Sequence, residues 1–297
     1  MMDCSYVLVT VAYNEESRIE LVMRSVLEQS LRPKLWFIVS DGSNDRTDEI
    51  IREYAGKHGF IRYLRQEKRS SDTDRLEKVT IAQSRAMALA LELSHDIEYG
   101  YFGNLDADIT LDADYYEKVL EKFSNDPALG MAGGGVYNVN QDDLPSGTGF
   151  INPQFVGGPV QLFRRKCIED IGGYAPYGHS DCIAVAKTKM KGWRVRCFPE
   201  IHAYHHEVPD NSARAKIPVC FRMGQMDYIM GGLPVFEIAR CAARMLKRPF
   251  LVAGMAMFAG YIWAFIRGEE IRIPLEVLEF MQTEQKQKLL SKISLRS

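Results

Sequence analysis

Three runs of β-prone residues, Ser5–Val11, Leu35–Val39 and Tyr99–Leu105, are each followed by an acidic turn and then by a helical pattern. A chain that alternates in this way buries its strands in a largely parallel sheet covered by helices, so the expected fold class is α/β. The first helix is expected from Asn14-Glu15-Glu16-Ser17 onward, with Ile19, Val22, Met23, Val26 and Leu27 on one side and Pro33 beyond its end. Asp45-Arg46-Thr47-Asp48 starts a second helix, Leu76–Leu93 is a third and Asp112–Phe123 a fourth. Ile61–Leu64, Leu129–Val136 and Val160–Phe163 read as further strands, Asp181–Met190 as a helix, and Val195–Phe198 and Ile201–Tyr204 as two short strands. Gly133-Gly134-Gly135 follows no phosphate-loop pattern and ends in no Lys-Ser, so no nucleotide P-loop is read there. A chain of 297 residues can bury a core without disulfides or a structural metal.

Charge divides the chain in two. Residues 211–297 carry 13 Lys and Arg against 7 Asp and Glu, a net +6, whereas residues 1–210 carry 24 against 32, a net −8. The total of −2 argues against a nucleic-acid binder, while a basic tail on an acidic body points to a membrane surface or a polyanion. Residues 249–266 form an apolar segment of 18 residues without a charge, flanked by Arg240, Arg244, Lys247 and Arg248 before and Arg267 and Arg272 after. That is the short end of what crosses a hydrocarbon core of roughly 30 Å. The expectation is a body over 1–210 and a basic helical region over 211–297 that lies on, re-enters or spans a membrane. The six cysteines include no C-x-x-C and fit reduced thiols, and the N-terminus lacks the basic region of a signal peptide. Both place the body on the cytoplasmic side.

Candidate chemistry lies at the strand ends. In Asn104-Leu105-Asp106-Ala107-Asp108, two carboxylates two residues apart on an extended end point to one spot, where a divalent cation would offset their repulsion. Tyr13-Asn14-Glu15 follows the first strand, and Asp41-Gly42-Ser43-Asn44-Asp45 follows the second. All three turns belong at the carboxyl edge of a parallel sheet, where open α/β folds bind ligands. Taken alone, Asp41–Asp45 reads equally well as a polar turn capping the next helix, and Asp106-Ala107-Asp108 as an Asx turn or helix cap after a strand.

Together, in this order, these residues resemble the family 2 glycosyltransferases, inverting sugar transferases of GT-A fold. The resemblance runs from about Ser5 to His206 and includes Gly172-Gly173-Tyr174 and His179-Ser180-Asp181. It implies a nucleotide-diphosphate sugar donor bound by Tyr13, Asn14, Glu15 and Asp41, with Mn²⁺ or Mg²⁺ on Asp106 and Asp108. It implies Asp181 as the catalytic base, in a first helical turn capped by Ser180, where the helix dipole favours the charged carboxylate. His206, or its neighbour His205, is expected to complete the metal shell, and Arg214, with Lys216, to close over the diphosphate. Arg85 matches the middle of the family's Ala-Arg-Asn, although Ala86 does not match its end, and is assigned to the diphosphate edge. The position before Asp181 is Ser180 where the family usually has an acid, and no Q-x-x-R-W follows, which argues against a processive enzyme. The acceptor implied by the basic, apolar tail is a polyprenyl-phosphate or a lipid-linked glycan at the cytoplasmic face of a membrane; a homo-oligomer is left open. Two other classes compete: a sugar-1-phosphate nucleotidyltransferase, disfavoured by the absence of a Gly-rich Arg-bearing loop after the first strand, and a degenerate membrane-bound glycan-binding scaffold.

Overall fold

The computed structural model describes residues 4–66, 75–139, 152–176, 179–206, 213–246 and 250–294. The chain divides into two compact units, Met1–Val208 and Pro209–Ser297. Among the described residues, the first is built on eight strands: β1 (Tyr6–Ala12), β2 (Leu35–Asp41), β3 (Ile61–Gln66), β4 (Tyr101–Asn104), β5 (Ile109–Leu111), β6 (Leu129–Asn138), β7 (Leu162–Arg164) and β8 (Arg194–His205). They form one sheet in the order β3-β2-β1-β4-β7-β6-β8-β5. The β1–β2, β2–β3, β1–β4 and β6–β8 pairs are parallel, and β7 and β5 enter antiparallel. Helices α1 (Ile19–Leu27), α2 (Thr47–Lys57), α3 (Arg75–Leu93), α4 (Tyr115–Asn125), α5 (Arg165–Asp170) and α6 (Ser180–Met190) connect them.

The central strands are buried along nearly their whole length, as parallel strands covered on both faces must be. Trp36 is fully enclosed and donates from Nε1 to Thr10 Oγ1 at 3.0 Å, so its polar edge is satisfied inside the core. Glycine at 133 and 134 lets other chain segments lie against β6. A Cβ on Gly133 would sit 2.6 Å from the Val160 carbonyl oxygen, and one on Gly134 would overlap the Ile201 carbonyl.

Several boundaries differ from expectation for local reasons. Helix α1 begins at Ile19, because Asn14 adopts φ 56° and the following turn bonds to the β2–α2 loop instead of continuing as helix. The two short strands expected near 195–204 are one strand, β8, which passes through Pro199 with an irregular register opposite Gly134 and Gly135. Val160 ends a 3-10 turn at Gly158–Val160, and β7 starts two residues later. Helix α6 is capped by His179 at φ 62°, not by Ser180, which is its first residue; Asp181 stays in the first turn.

The second unit is helical: α7 (Ala213–Ile229), α8 (Pro234–Met245), α9 (Val252–Arg267) and α10 (Leu275–Ser294). Helix α9 packs with its small side chains inward and its large ones outward. The buried stripe of α9 is small (Ala253, Gly254, Gly260, Ala264) apart from Met257 and Tyr261. Its outward side chains are large and apolar, with Met255, Phe265 and Ile266 each more than half exposed. A Cβ on Gly260 would overlap the Phe221 carbonyl oxygen, and one on Gly224 the Met257 carbonyl, so α7 and α9 touch backbone to backbone. Among the described residues no helix is long and apolar enough to cross a membrane.

Candidate active site

The turns after β1 and β2 hold each other. Asn14 N–H donates to Ser43 Oγ (3.2 Å), Asn14 Oδ1 accepts from Asn44 N–H (3.0 Å), and Glu15 N–H donates to Thr47 Oγ1 (2.8 Å). Glu16 N–H reaches Asp45 Oδ2 (3.1 Å), while Arg46 N–H returns to Glu16 Oε2 (3.0 Å). Asp41, at the end of β2, accepts from Gln66 Nε2 at 3.2 Å, and Tyr13 stands exposed beside this clasp. Four expected donor-binding residues thus lie in or beside one cross-linked double turn.

Asp106 and Asp108 leave the end of β4. Burial first, then the charge of Asp108, pushes the Asp106 carboxyl up to about 7, and Asp181 adds to the rise. Asn104 opposes the shift: its Nδ2 donates to Asp106 Oδ1 (2.9 Å) and also to the Gly158 carbonyl (2.8 Å). Gln83 of α3 donates to the same carboxylate oxygen at 3.2 Å. Gly158 lies against Asp181 so closely that a Cβ there would be 3.0 Å from Asp181 Oδ2. Gln161, fully buried, donates to the Val156 carbonyl (3.0 Å) and the Asp181 carbonyl (3.3 Å), and its Oε1 accepts from the Tyr174 hydroxyl. Asp106 and Asp181 are therefore joined through Asn104 and the 156–161 segment, with Tyr174 of the Gly-Gly-Tyr string behind it.

Of the two histidines, His205 is the one on Asp108, with Nε2 3.1 Å from Oδ2. His206 instead places Nε2 2.8 Å from Thr110 Oγ1, while its backbone N–H donates to the Asp108 carbonyl. The place beside Asp108 is thus taken by His205 and not by His206, because adjacent residues of an extended chain face opposite ways. Arg85 is exposed on α3, two residues after Gln83. Arg214 and Lys216 belong to α7, but their side chains lie outside the described residues, as do Tyr177 and Gly178 before α6. Asn104, Gln83 and Gln161 were missed by sequence reasoning; only Asn104, one extended period before Asp106, carries a local signal.

Among the described residues no three His, Cys, Asp or Glu side chains are grouped as a ready-made metal cage. Two crowded carboxylates, one held partly protonated by burial and by its neighbour, nevertheless fit a Mg²⁺-type ion, which characteristically takes one or two carboxylates plus substrate phosphates and water.

The family model for glycosyl transferase family 2 matches residues 7–177, more than half of the chain and all of the turns just described except the 179–181 string. The chain belongs to glycosyl transferase family 2. This glycosyltransferase is 26% identical over 208 residues to poly-beta-1,6-N-acetyl-D-glucosamine synthase of Staphylococcus aureus (strain COL), covering 63% of its own chain and 46% of that protein. The Staphylococcus epidermidis synthase is likewise 26% identical, over 206 residues, with 63% and 44% covered. The family 2 chain thus spans less than half the length of these curated relatives. Its fold is similar to that of the mannosyltransferase PcManGT from Pyrobaculum calidifontis in complex with GDP-Man and Mn²⁺, with a TM-score of 0.56, 15% identity, and 97% and 83% of the two chains covered. It is also similar to S. aureus TarS 1–349 in complex with UDP-GlcNAc, with a TM-score of 0.51, 15% identity, and 74% and 66% covered. The GT-A fold expected of the family is the fold observed.

Proposed function

We propose that this family 2 enzyme transfers a sugar, with inversion, from a nucleotide-diphosphate donor to a membrane-linked acceptor at the cytoplasmic face of a bilayer. The observation that carries the reading is the bridge from Asp106 through Asn104 and Gly158 to Asp181, which brings a carboxylate suited to a base beside a carboxylate pair suited to a cation. Tyr13, Asn14, Glu15 and Asp41 would receive the nucleoside; Arg85 and Arg214 would face the diphosphate. Asp106 and Asp108, with His205 beside them, would hold Mn²⁺ or Mg²⁺, whose contribution is to neutralise charge on the departing diphosphate. On a hydroxyl acceptor, Asp181 takes the proton of that hydroxyl as its oxygen attacks the anomeric carbon from the side opposite the leaving group, which inverts configuration; a phosphate acceptor attacks as the anion it already is and needs no base. Tyr174 and Gln161 keep Asp181 seated from behind.

The membrane half of the reading is supported by the packing of α9, whose large side chains face outward between basic flanks. Small residues inside and large apolar ones outside suit a helix whose surroundings are lipid. The similarity to synthases named for a polysaccharide supports a glycan or lipid-linked acceptor.

A thermal-shift screen of nucleotide sugars with and without Mn²⁺ tests the donor and the cation together. One donor is expected to raise the midpoint only when Mn²⁺ is present, and incubation with a polyprenyl-phosphate is expected to move labelled sugar into butanol and release a nucleoside diphosphate. Release of pyrophosphate would point instead to a nucleotidyltransferase, and no donor turnover at all to a scaffold. The Mn²⁺ effect should depend on pH. A raised carboxyl pKa means that the folded chain holds a proton between the ordinary carboxylate value of about 4 and about 7. The metal-free fold therefore loses stability as pH rises through that window, and protons compete with the cation below its upper end. Apparent Mn²⁺ affinity is expected to climb by up to about tenfold from pH 6 to pH 7 and to level off above pH 8. Affinity that is flat over this range would remove Asp106 from the cation site.

A further inference from the structure

The helical unit holds a half-open pocket of about 210 Å³ whose wall combines apolar side chains, among them Met223, Phe236 and Met257, with the cations Arg240, Arg244 and Lys288. Four helices supply it: α7, α8, α9 and α10. Arg240 and Arg244 are one helical turn apart on α8, a like-charge spacing that opposes stability by itself. Asp227 and Glu237 grip the Arg240 guanidinium in ion pairs, which fixes one side of the wall. Arg244 turns Nη2 toward Cys220 Sγ at 3.8 Å, and Lys288 comes from α10. No acidic side chain lines the pocket among the described residues. Met223 is 40% exposed, so the apolar wall continues to the outer surface.

We propose that this pocket binds the head end of a phosphate-bearing single-chain amphiphile, with the phosphate at Arg244 and Lys288 and the first carbons on the Met and Phe wall. Charge complementarity selects the head: a phosphate monoester offers several acceptor oxygens to guanidinium and ammonium donors. The wall selects the chain, because methionine is flexible and polarizable and adapts to irregular hydrocarbon. Volume limits how much enters. A cavity of roughly 150 Å³ accommodates benzene, so this pocket holds a head and a short length of chain, and the remainder leaves past Met223. The ligand's biological source rests on the membrane-linked acceptor reading, whereas the binding itself does not.

The test is calorimetric titration of the full chain with dodecyl phosphate below its micellar concentration, beside dodecanol and inorganic phosphate. Dodecyl phosphate is expected to bind at least tenfold more tightly than either, and the paired substitutions Arg244→Gln and Lys288→Gln are expected to remove at least tenfold of that affinity. Equal binding of dodecanol, or of inorganic phosphate, would overturn the proposal, as would an unchanged affinity in the pair. Should the pair lower the thermal midpoint, Lys288→Gln alone, an exposed position, serves in its place; an affinity loss of about threefold or more supports the site, and no loss overturns it. Farnesyl phosphate set against lysophosphatidic acid distinguishes the source: tighter farnesyl phosphate assigns the site to a prenyl carrier, and tighter lysophosphatidic acid to a membrane phospholipid. Amphiphile binding without transfer of sugar into butanol would remove the acceptor reading and leave the pocket standing.

Discussion

Asp181→Asn is expected to slow sugar transfer to a hydroxyl acceptor by about 10²–10⁴-fold while leaving the Mn²⁺-dependent donor thermal shift in place. The substitution keeps shape and volume, so contact with Gly158 and the bond from Gln161 to the residue-181 carbonyl should survive. What disappears is the acceptor of the hydroxyl proton, a group needed only as the new bond forms, so kcat should fall far more than donor affinity. Single-turnover transfer with saturating donor measures the first quantity, and the thermal shift the second. A transfer rate within threefold of the parent would mean that another group accepts the proton, and the assignment of Asp181 would be abandoned.

Gly260→Leu is expected to have the largest effect on stability, about 3 kcal/mol or more, at the upper end of what overpacking costs. The added side chain has no direction in which to escape, because the first atom beyond Cα already overlaps the Phe221 carbonyl oxygen of α7. Since Gly224 makes the reciprocal approach to the Met257 carbonyl, the helices would have to separate along their whole contact. Urea unfolding followed by fluorescence of Trp263, with Trp36 and Trp193 replaced by Phe, reads the helical unit. The donor thermal shift, which reads the sheet unit, should persist. An unfolding midpoint indistinguishable from the parent would show that α7 and α9 do not depend on this contact.

The strand ends were legible because two signals coincide there: a continuous β-prone run, and an abrupt acidic turn where the run stops. That is why β1, β2 and β4 and the turns after them fall where the sequence places them. Helix starts were less legible. The Asn14–Ser17 turn looks like a helix opening, but its N–H groups are taken by Ser43, Thr47 and Asp45, partners about thirty residues away. The two short strands expected at Val195–Phe198 and Ile201–Tyr204 are one, because β8 carries Pro199 through at an irregularity in the β6 pairing. A single step of register puts His205 and not His206 beside Asp108, and no local pattern states which of two adjacent histidines takes that side. Gln161 and Gln83 act across 20 and 23 residues, so nothing in their immediate sequence marks them.

The glycine run of β6 has a kinetic consequence. Three successive residues without side chains contribute little β-propensity and nothing to pin a register. Strand β6 is held by what lies against it: the Val160 carbonyl, the Ile201 carbonyl and the parallel strand β8, whose pairing residues begin at Arg194. Closing those loops must come before β6 gains anything from its position, which makes its assembly slow relative to the β1–β2–β3 portion. The 156–161 segment seats Asp181 and lies on β6, so the arrangement around the base is expected to form last. In pulse-labelled hydrogen exchange during refolding, amides of Gly133–Val136 and Val160–Leu162 should become protected after those of Val7–Val11. The chemistry of the fold would thus be the final part of it to be born.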